Sequence, residues 1–207
     1  VELTKSACAD GADAVLVVTP YYNKTTQNGL VAMYNTIADA STKPVILYNV
    51  PSRTGIGIQP ETYVKLAQHP NIAAIKEANS DISKIVETFA LVGDQLDIYS
   101  GNDDQIVPIL SMGGQGCISV LSNVVPKETV AITDQFFAGN VAESARLQCK
   151  FMPLIRSLFC ESNPIPVKAA MSALGFCENY LRLPLVPMEQ DHYETMLQRM
   201  RALGLSV

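Results

Sequence analysis

Lys76 lies in the stretch Ala73-Ala74-Ile75-Lys76-Glu77-Ala78, a small and branched apolar run that follows a His-Pro-Asn turn. Such a run reads as a buried strand, where an ammonium is most expensive to place. A lysine amine attacks a carbonyl only when unprotonated, and at an ordinary pKa of about 10.4 fewer than roughly one in a thousand is free at neutral pH. Desolvation disfavours the charged form, so a lysine inside a fold is set up for Schiff-base chemistry. A structural reading competes with this one: Lys76 reaches to the rim or pairs with a carboxylate such as Glu77. Tyr48 ends the preceding apolar run, where its phenol can stand beside Lys76 and move protons, although a tyrosine at a strand end also serves as a packing residue. Tyr22 is a second phenol at such an end. Arg53, just beyond Tyr48, carries a fork of donors suited to a carboxylate, or is a solvated loop charge.

Other motifs have simpler explanations. Gly113-Gly114-Gln115-Gly116 resembles a phosphate loop, but it follows a helical segment and precedes a strand, which makes it a helix C-cap and tight turn on the opposite face. Asp103-Asp104 lacks a nearby histidine or third carboxylate and is expected to start the next helix. Lys168, in Asn163-Pro164-Ile165-Pro166-Val167-Lys168, lies one turn inside a proline-led helix with no strand to bury it. Cys8, Cys117, Cys149, Cys160 and Cys177 are odd in number and widely spaced, without a C-x-x-C, and only His69 and His192 are available as companions. Reduced, packed thiols and no metal are expected.

These residues need elements to position them. Apolar runs recur at Ala14 to Thr19, Pro44 to Asn49, Ile72 to Glu77, Leu96 to Ser100 and Gly116 to Leu121. Helical periodicity fills the gaps, at Gln27 to Ala40, Pro60 to Gln68, Ile82 to Val92 and Asp103 to Met112. Continuous hydrophobicity alternating with helices predicts parallel strands covered on both faces, an α/β fold. Residues 1–125 form this alternating part. Residues 126–207 form a helical region, with segments at Lys127 to Phe137, Val141 to Phe159, Ile165 to Leu174 and Gln190 to Leu203. The strands suit an open doubly wound sheet or the later strands of an eight-stranded barrel. The chain opens at Val1 in the middle of a helical pattern ending near Gly11, so an earlier strand is expected upstream. In either architecture the chemistry belongs at the carboxyl ends of the strands, where Thr19 to Asn23, Tyr48 to Gly55, Lys76 to Ala78, Ser100 to Asp104 and Ile118 to Asn123 collect.

The 207 residues carry 15 basic and 20 acidic side chains, a net charge of -5, with no basic stripe, which argues against nucleic acid. No apolar run approaches the roughly 20 residues of a membrane-spanning helix, and no leader pattern opens the chain. A soluble, cytoplasmic protein is expected.

The motifs VTPYYN (Val18 to Asn23), LYNVPSRTG (Leu47 to Gly55), IKEA (Ile75 to Ala78), SGND (Ser100 to Asp103), GGQGCISV (Gly113 to Val120) and NPIPVK (Asn163 to Lys168) together resemble the dihydrodipicolinate synthase family of pyruvate-dependent class I aldolases. The resemblance runs from Val1 to the C-terminus in order and spacing. It implies a (β/α)8 TIM barrel with C-terminal helices, of which this chain lacks the first three β/α units, and a lyase condensing pyruvate with L-aspartate-4-semialdehyde on the route to diaminopimelate and lysine. Lys76 would form the imine with pyruvate and no separate cofactor would be needed. Tyr48 would give and take protons, and Tyr22 would complete the relay across a subunit interface. Arg53 would receive the semialdehyde carboxylate, while Gly101 and Ile118 would line the pyruvate pocket. Tyr21 would lie at the interface, beside an effector site for lysine in feedback-regulated members, and the assembly would be a homotetramer. The Thr-Thr pair that binds the pyruvate carboxylate in the family has no counterpart here. Two alternatives stay open: a sister aldolase acting on a sugar acid, whose families lack the arginine of VPSRTG, or a truncated remnant, folded or partner-dependent, without activity; the chain alone is expected to be inactive or poorly folded.

Overall fold

A computed structural model describes all 207 residues. The chain divides into two compact units, Val1–Ile118 and Ser119–Val207. The expected division at 125/126 falls inside the second.

The first unit holds five strands: β1 (Val15–Val18), β2 (Val45–Asn49), β3 (Ile72–Glu77), β4 (Asp97–Ser100) and β5 (Gly116–Cys117). All are parallel, and they pair in sequence order, β1-β2-β3-β4-β5. Each of the five expected apolar runs contributes one strand. The last is shorter than the run Gly116 to Leu121, because the chain turns into a 3-10 segment at Leu121–Asn123. Helices α1 (Glu2–Ala9), α2 (Gln27–Ala40), α3 (Pro51–Thr54), α4 (Pro60–Leu66), α5 (Ile82–Val92) and α6 (Ile106–Ser111) alternate with the strands. Thr26 starts α2 by accepting the Gly29 N–H, and Asp81 starts α5 by accepting the Lys84 N–H. The segment expected as one helix from Asp103 splits into a 3-10 turn, Asp103–Gln105, and α6.

Strand alternation sorts the side chains. Val45, Leu47, Ile75 and Ile98 are fully buried in one cluster with Leu30, Tyr34, Tyr63 and Leu66 of α2 and α4. A register shift beside Val45 leaves Ala73 exposed and lets Ile72 and Ile75 share that core face. The neighbouring positions, Ile46, Tyr48, Lys76 and Tyr99, point to the other face and are only half-buried, and Leu16 there is 46% exposed.

The second unit contains α7 (Pro126–Phe137), α8 (Val141–Leu158), α9 (Ile165–Ala173) and α10 (Gln190–Ala202). Phe151, Leu154, Ile155 and Leu158 of α8 meet Ala169 and Ala170 of α9 and Met196 and Met200 of α10 in one core. No helix of the protein is long and apolar enough to cross a membrane.

Candidate active site

The parallel register aligns Val18, Tyr48, Lys76 and Tyr99 across four adjacent strands, one row near their carboxyl ends. Because Cα partners in a parallel sheet send their side chains to the same face, Lys76 and Tyr48 are neighbours by construction. The Lys76 Nζ lies over the Tyr48 ring, 4.2 Å from its centroid. Sequence reasoning expects the phenol beside the amine; the structure brings the two together through the ring face, where the negative π-cloud favours the ammonium. Partial burial acts the other way and lowers the Lys76 pKa, and the negative charge of Asp103 opposes that lowering. Partial burial likewise raises the Tyr48 phenol, with the Arg53 charge pulling it down.

Glu77 does not pair with Lys76. One residue further along β3, it faces the helices at 2% exposure, where its carboxylate accepts Asn49 Nδ2 at 2.9 and 3.1 Å, the Tyr63 hydroxyl at 3.1 Å and the Asn79 N–H at 2.8 Å. Burial outweighs these donors and raises its pKa to about 7. Lys76 is therefore left without a carboxylate partner from its own strand.

The remaining rim residues are set by loop geometry. Val50-Pro51-Ser52-Arg53-Thr54-Gly55 forms a single helical turn: Pro51 opens α3, and Gly55 closes it at φ +72°, donating its N–H to the Pro51 carbonyl at 2.9 Å. Arg53 is thereby held in the last turn of α3, within electrostatic reach of Tyr48. Thr54, buried in the same turn, accepts the Thr19 hydroxyl at 3.0 Å and ties the loop to the end of β1. Gly101 donates to the Glu77 carbonyl at 2.7 Å, and a Cβ there would lie 2.9 Å from the Ala78 Cβ and 3.2 Å from the Lys76 Cγ. Only glycine fits so close to the lysine stem. Ile118 is half-buried and donates its N–H to the Ser100 carbonyl at 2.8 Å. Tyr21 and Tyr22 behave differently: on the loop after β1 they are 70% and 92% exposed, with Tyr22 at φ +64°, and neither packs into this chain's site.

Gly113 is at φ +105° and donates to the Leu110 carbonyl at the end of α6, as a C-cap should. Lys168 lies within α9 of the second unit. Sequence reasoning passed over two groups here. Asp103 does begin a helical turn, but it is also buried and acts electrostatically on Lys76 and on the Cys117 thiol, whose pKa rises to about 11, chiefly through burial. The Asn49, Tyr63 and Glu77 network was legible only as alternation, in polar residues occurring where apolar ones belong.

The arrangement thus offers one desolvated amine beside a phenol and an arginine. The Dihydrodipicolinate synthetase family model matches residues 1–203. A 4-hydroxy-tetrahydrodipicolinate synthase from Clostridium perfringens is 52% identical over 205 residues, covering 99% of this chain and 70% of the relative. The crystal structure of dihydrodipicolinate synthase from Thermotoga maritima superposes with a TM-score of 0.97 at 44% identity, over 99% of this chain and 71% of that one. The chloride-inhibited enzyme from Acinetobacter baumannii, complexed with pyruvate, gives 0.96 at 40% identity, over 99% and 70%. A match along nearly the whole chain, in sequence and in backbone, means that this chain belongs to the dihydrodipicolinate synthetase family.

Proposed function

We propose that the protein condenses pyruvate with L-aspartate-4-semialdehyde to give 4-hydroxy-tetrahydrodipicolinate, on the route to diaminopimelate and lysine, with Lys76 as the Schiff-base residue. The observation that carries the assignment is the partly desolvated Lys76 amine at the carboxyl end of β3, without Glu77 and beside Tyr48.

The neutral amine adds to C2 of pyruvate. The resulting carbinolamine loses its hydroxyl as water, with a proton supplied through Tyr48, and leaves a cationic imine. That nitrogen draws electrons from C3, which gives up a proton and becomes an enamine carbon. C3 then attacks the aldehyde carbon of the second substrate, whose oxygen takes a proton, and the product's own amine displaces Lys76 as the ring closes. The lysine supplies the electron sink, so the sequence of steps calls on no other cofactor. Arg53 receives the semialdehyde carboxylate, and Gly101 and Ile118 border the pyruvate.

We also read the five strands as a contiguous part of an eight-stranded barrel. Consecutive parallel order and a half-exposed face bearing Leu16, Ile46, Tyr48 and Lys76 fit strands that curve around a shared interior. In that reading Tyr22, exposed here, reaches a relay only across a subunit boundary.

Borohydride reduction in the presence of pyruvate tests the chemistry. Intact mass should show one reduced pyruvyl adduct, mapped to Lys76, which Lys76→Ala abolishes and Lys168→Ala retains. No adduct, or one on Lys168, would overturn the assignment.

A further inference from the structure

We infer that Cys160, Glu161 and His192, in the helical second unit, form a site for one divalent transition-metal ion of the zinc class. A thiol sulfur, a carboxylate oxygen and an imidazole nitrogen from these side chains lie within 4.8 Å of one another. They are the three donor types that zinc takes from proteins, and a tetrahedral ion with bonds of about 2.0 to 2.3 Å needs donors roughly 3.3 to 3.6 Å apart. The larger separation closes by side-chain rotation, which exposed Cys160 and His192 can make.

Each donor is held by the fold. Cys160 follows the end of α8, and its Sγ donates at 3.2 Å to the Ser157 carbonyl, one of the groups a helix end leaves without an intrahelical partner. The Ser157 hydroxyl in turn accepts from Arg199 at 2.7 Å, which ties this end of α8 to α10. Glu161 is the least exposed of the three ligand side chains. Its Oε1 accepts the Glu189 N–H at 3.0 Å, where α10 begins, and meets the His192 Nδ1 at 2.8 Å. This contact brings a carboxylate from just after α8 and an imidazole from the first turn of α10 to one point, where an ion held between them would replace their hydrogen bond.

A soft divalent ion takes the cysteine as its thiolate, releasing the thiol proton to solvent, and thiolate plus carboxylate then balance its charge. The amino end of α10 disfavours a cation nearby, which is why a site here needs both anionic donors. A fourth position would face solvent, because Cys160 and His192 are exposed. Glu161 and His192 are 31 positions apart, so no sequence spacing signals the site.

Titration of the reduced full chain with Zn²⁺ and Co²⁺ tests the site. Zinc should bind one to one, and cobalt should produce near-ultraviolet thiolate-to-metal absorption. Cys160→Ser should abolish that absorption, and both Cys160→Ser and His192→Ala should weaken zinc binding by about tenfold or more. Cys177→Ser should change neither, and the melting curves of all three variants should match the parent. Wild-type protein without the absorption, absorption that survives Cys160→Ser, or zinc affinity unchanged by either site variant would overturn the proposal.

Discussion

Replacing Glu77 by glutamine should flatten the pH dependence of stability, in a direction that the structure determines. Two effects compete at this carboxyl. Donors from Asn49, Tyr63 and Asn79 favour the ionised form, and burial at 2% exposure favours the neutral one. Burial wins, and the pKa rises from 4.5 to about 7. The folded state therefore holds a proton that the unfolded chain releases. Stability from this group is full below the unfolded pKa and is lost as pH rises through the folded one. At 1.36 kcal/mol per pKa unit, the full loss is about 3 kcal/mol, most of it, roughly 2 to 3 kcal/mol, falling between about pH 5 and about pH 8. Glutamine is neutral throughout. Its amide also places a donor against the Asn49 and Tyr63 donors, a cost that does not change with pH. Urea denaturation of both proteins at the two pH values separates the terms: Glu77→Gln gains roughly 2 to 3 kcal/mol on the parent as pH rises, whatever its offset. Parallel pH profiles would refute the reasoning and show that the buried carboxylate is ionised throughout.

Two further outcomes concern the rim. Arg53→Ala should raise the KM for the semialdehyde about tenfold to a hundredfold, the range of a charge-assisted hydrogen bond, while leaving the pyruvate adduct intact. Equal losses for both substrates would point to a folding defect. Asp103→Asn removes the negative charge that holds the Lys76 pKa up, so the pH at which the pyruvate imine half-forms should move lower; an unmoved or rising midpoint would exclude that coupling.

How much of this was legible beforehand follows from which interactions are local. Alternating runs of period 2 and period 3.6 depend on side chains a few residues apart, so all five strands and helices such as Gln27–Ala40 and Ile82–Val92 could be read directly. The end of β5 could not, since the apolar run continues past the point where pairing with β4 stops at Ser100 and Cys117. Lys76 could be recognised as out of place, yet its environment depends on a loop from another strand. Asp103 follows β4, looks like any acidic helix start, and acts on an amine 27 positions earlier in the chain only because β3 and β4 are neighbours. The Cys160, Glu161 and His192 cluster was hidden for the same reason.

The adjacency of Lys76 and Glu77 shows why register carries the chemistry. In solution a lysine and a glutamate side by side offset each other's charge, and an amine so paired would keep its proton. A pleated strand sends consecutive side chains to opposite faces, so β3 separates the pair by construction. The carboxyl goes to the helix side, where Asn49 waits at the aligned position of β2 and Tyr63 reaches in from α4. The amine goes to the other face, beside Tyr48, also aligned on β2. A slip of one residue between β2 and β3 would exchange the two, placing an ammonium among apolar helix-facing side chains and a carboxylate beside Tyr48, where the proposed chemistry needs an amine. The Asn49–Glu77 hydrogen bonds oppose that slip by giving the buried polar pair partners in only one register. Glu77 thus acts on Lys76 through the strand it pins in place, and the amine stays free of the carboxylate nearest to it in sequence.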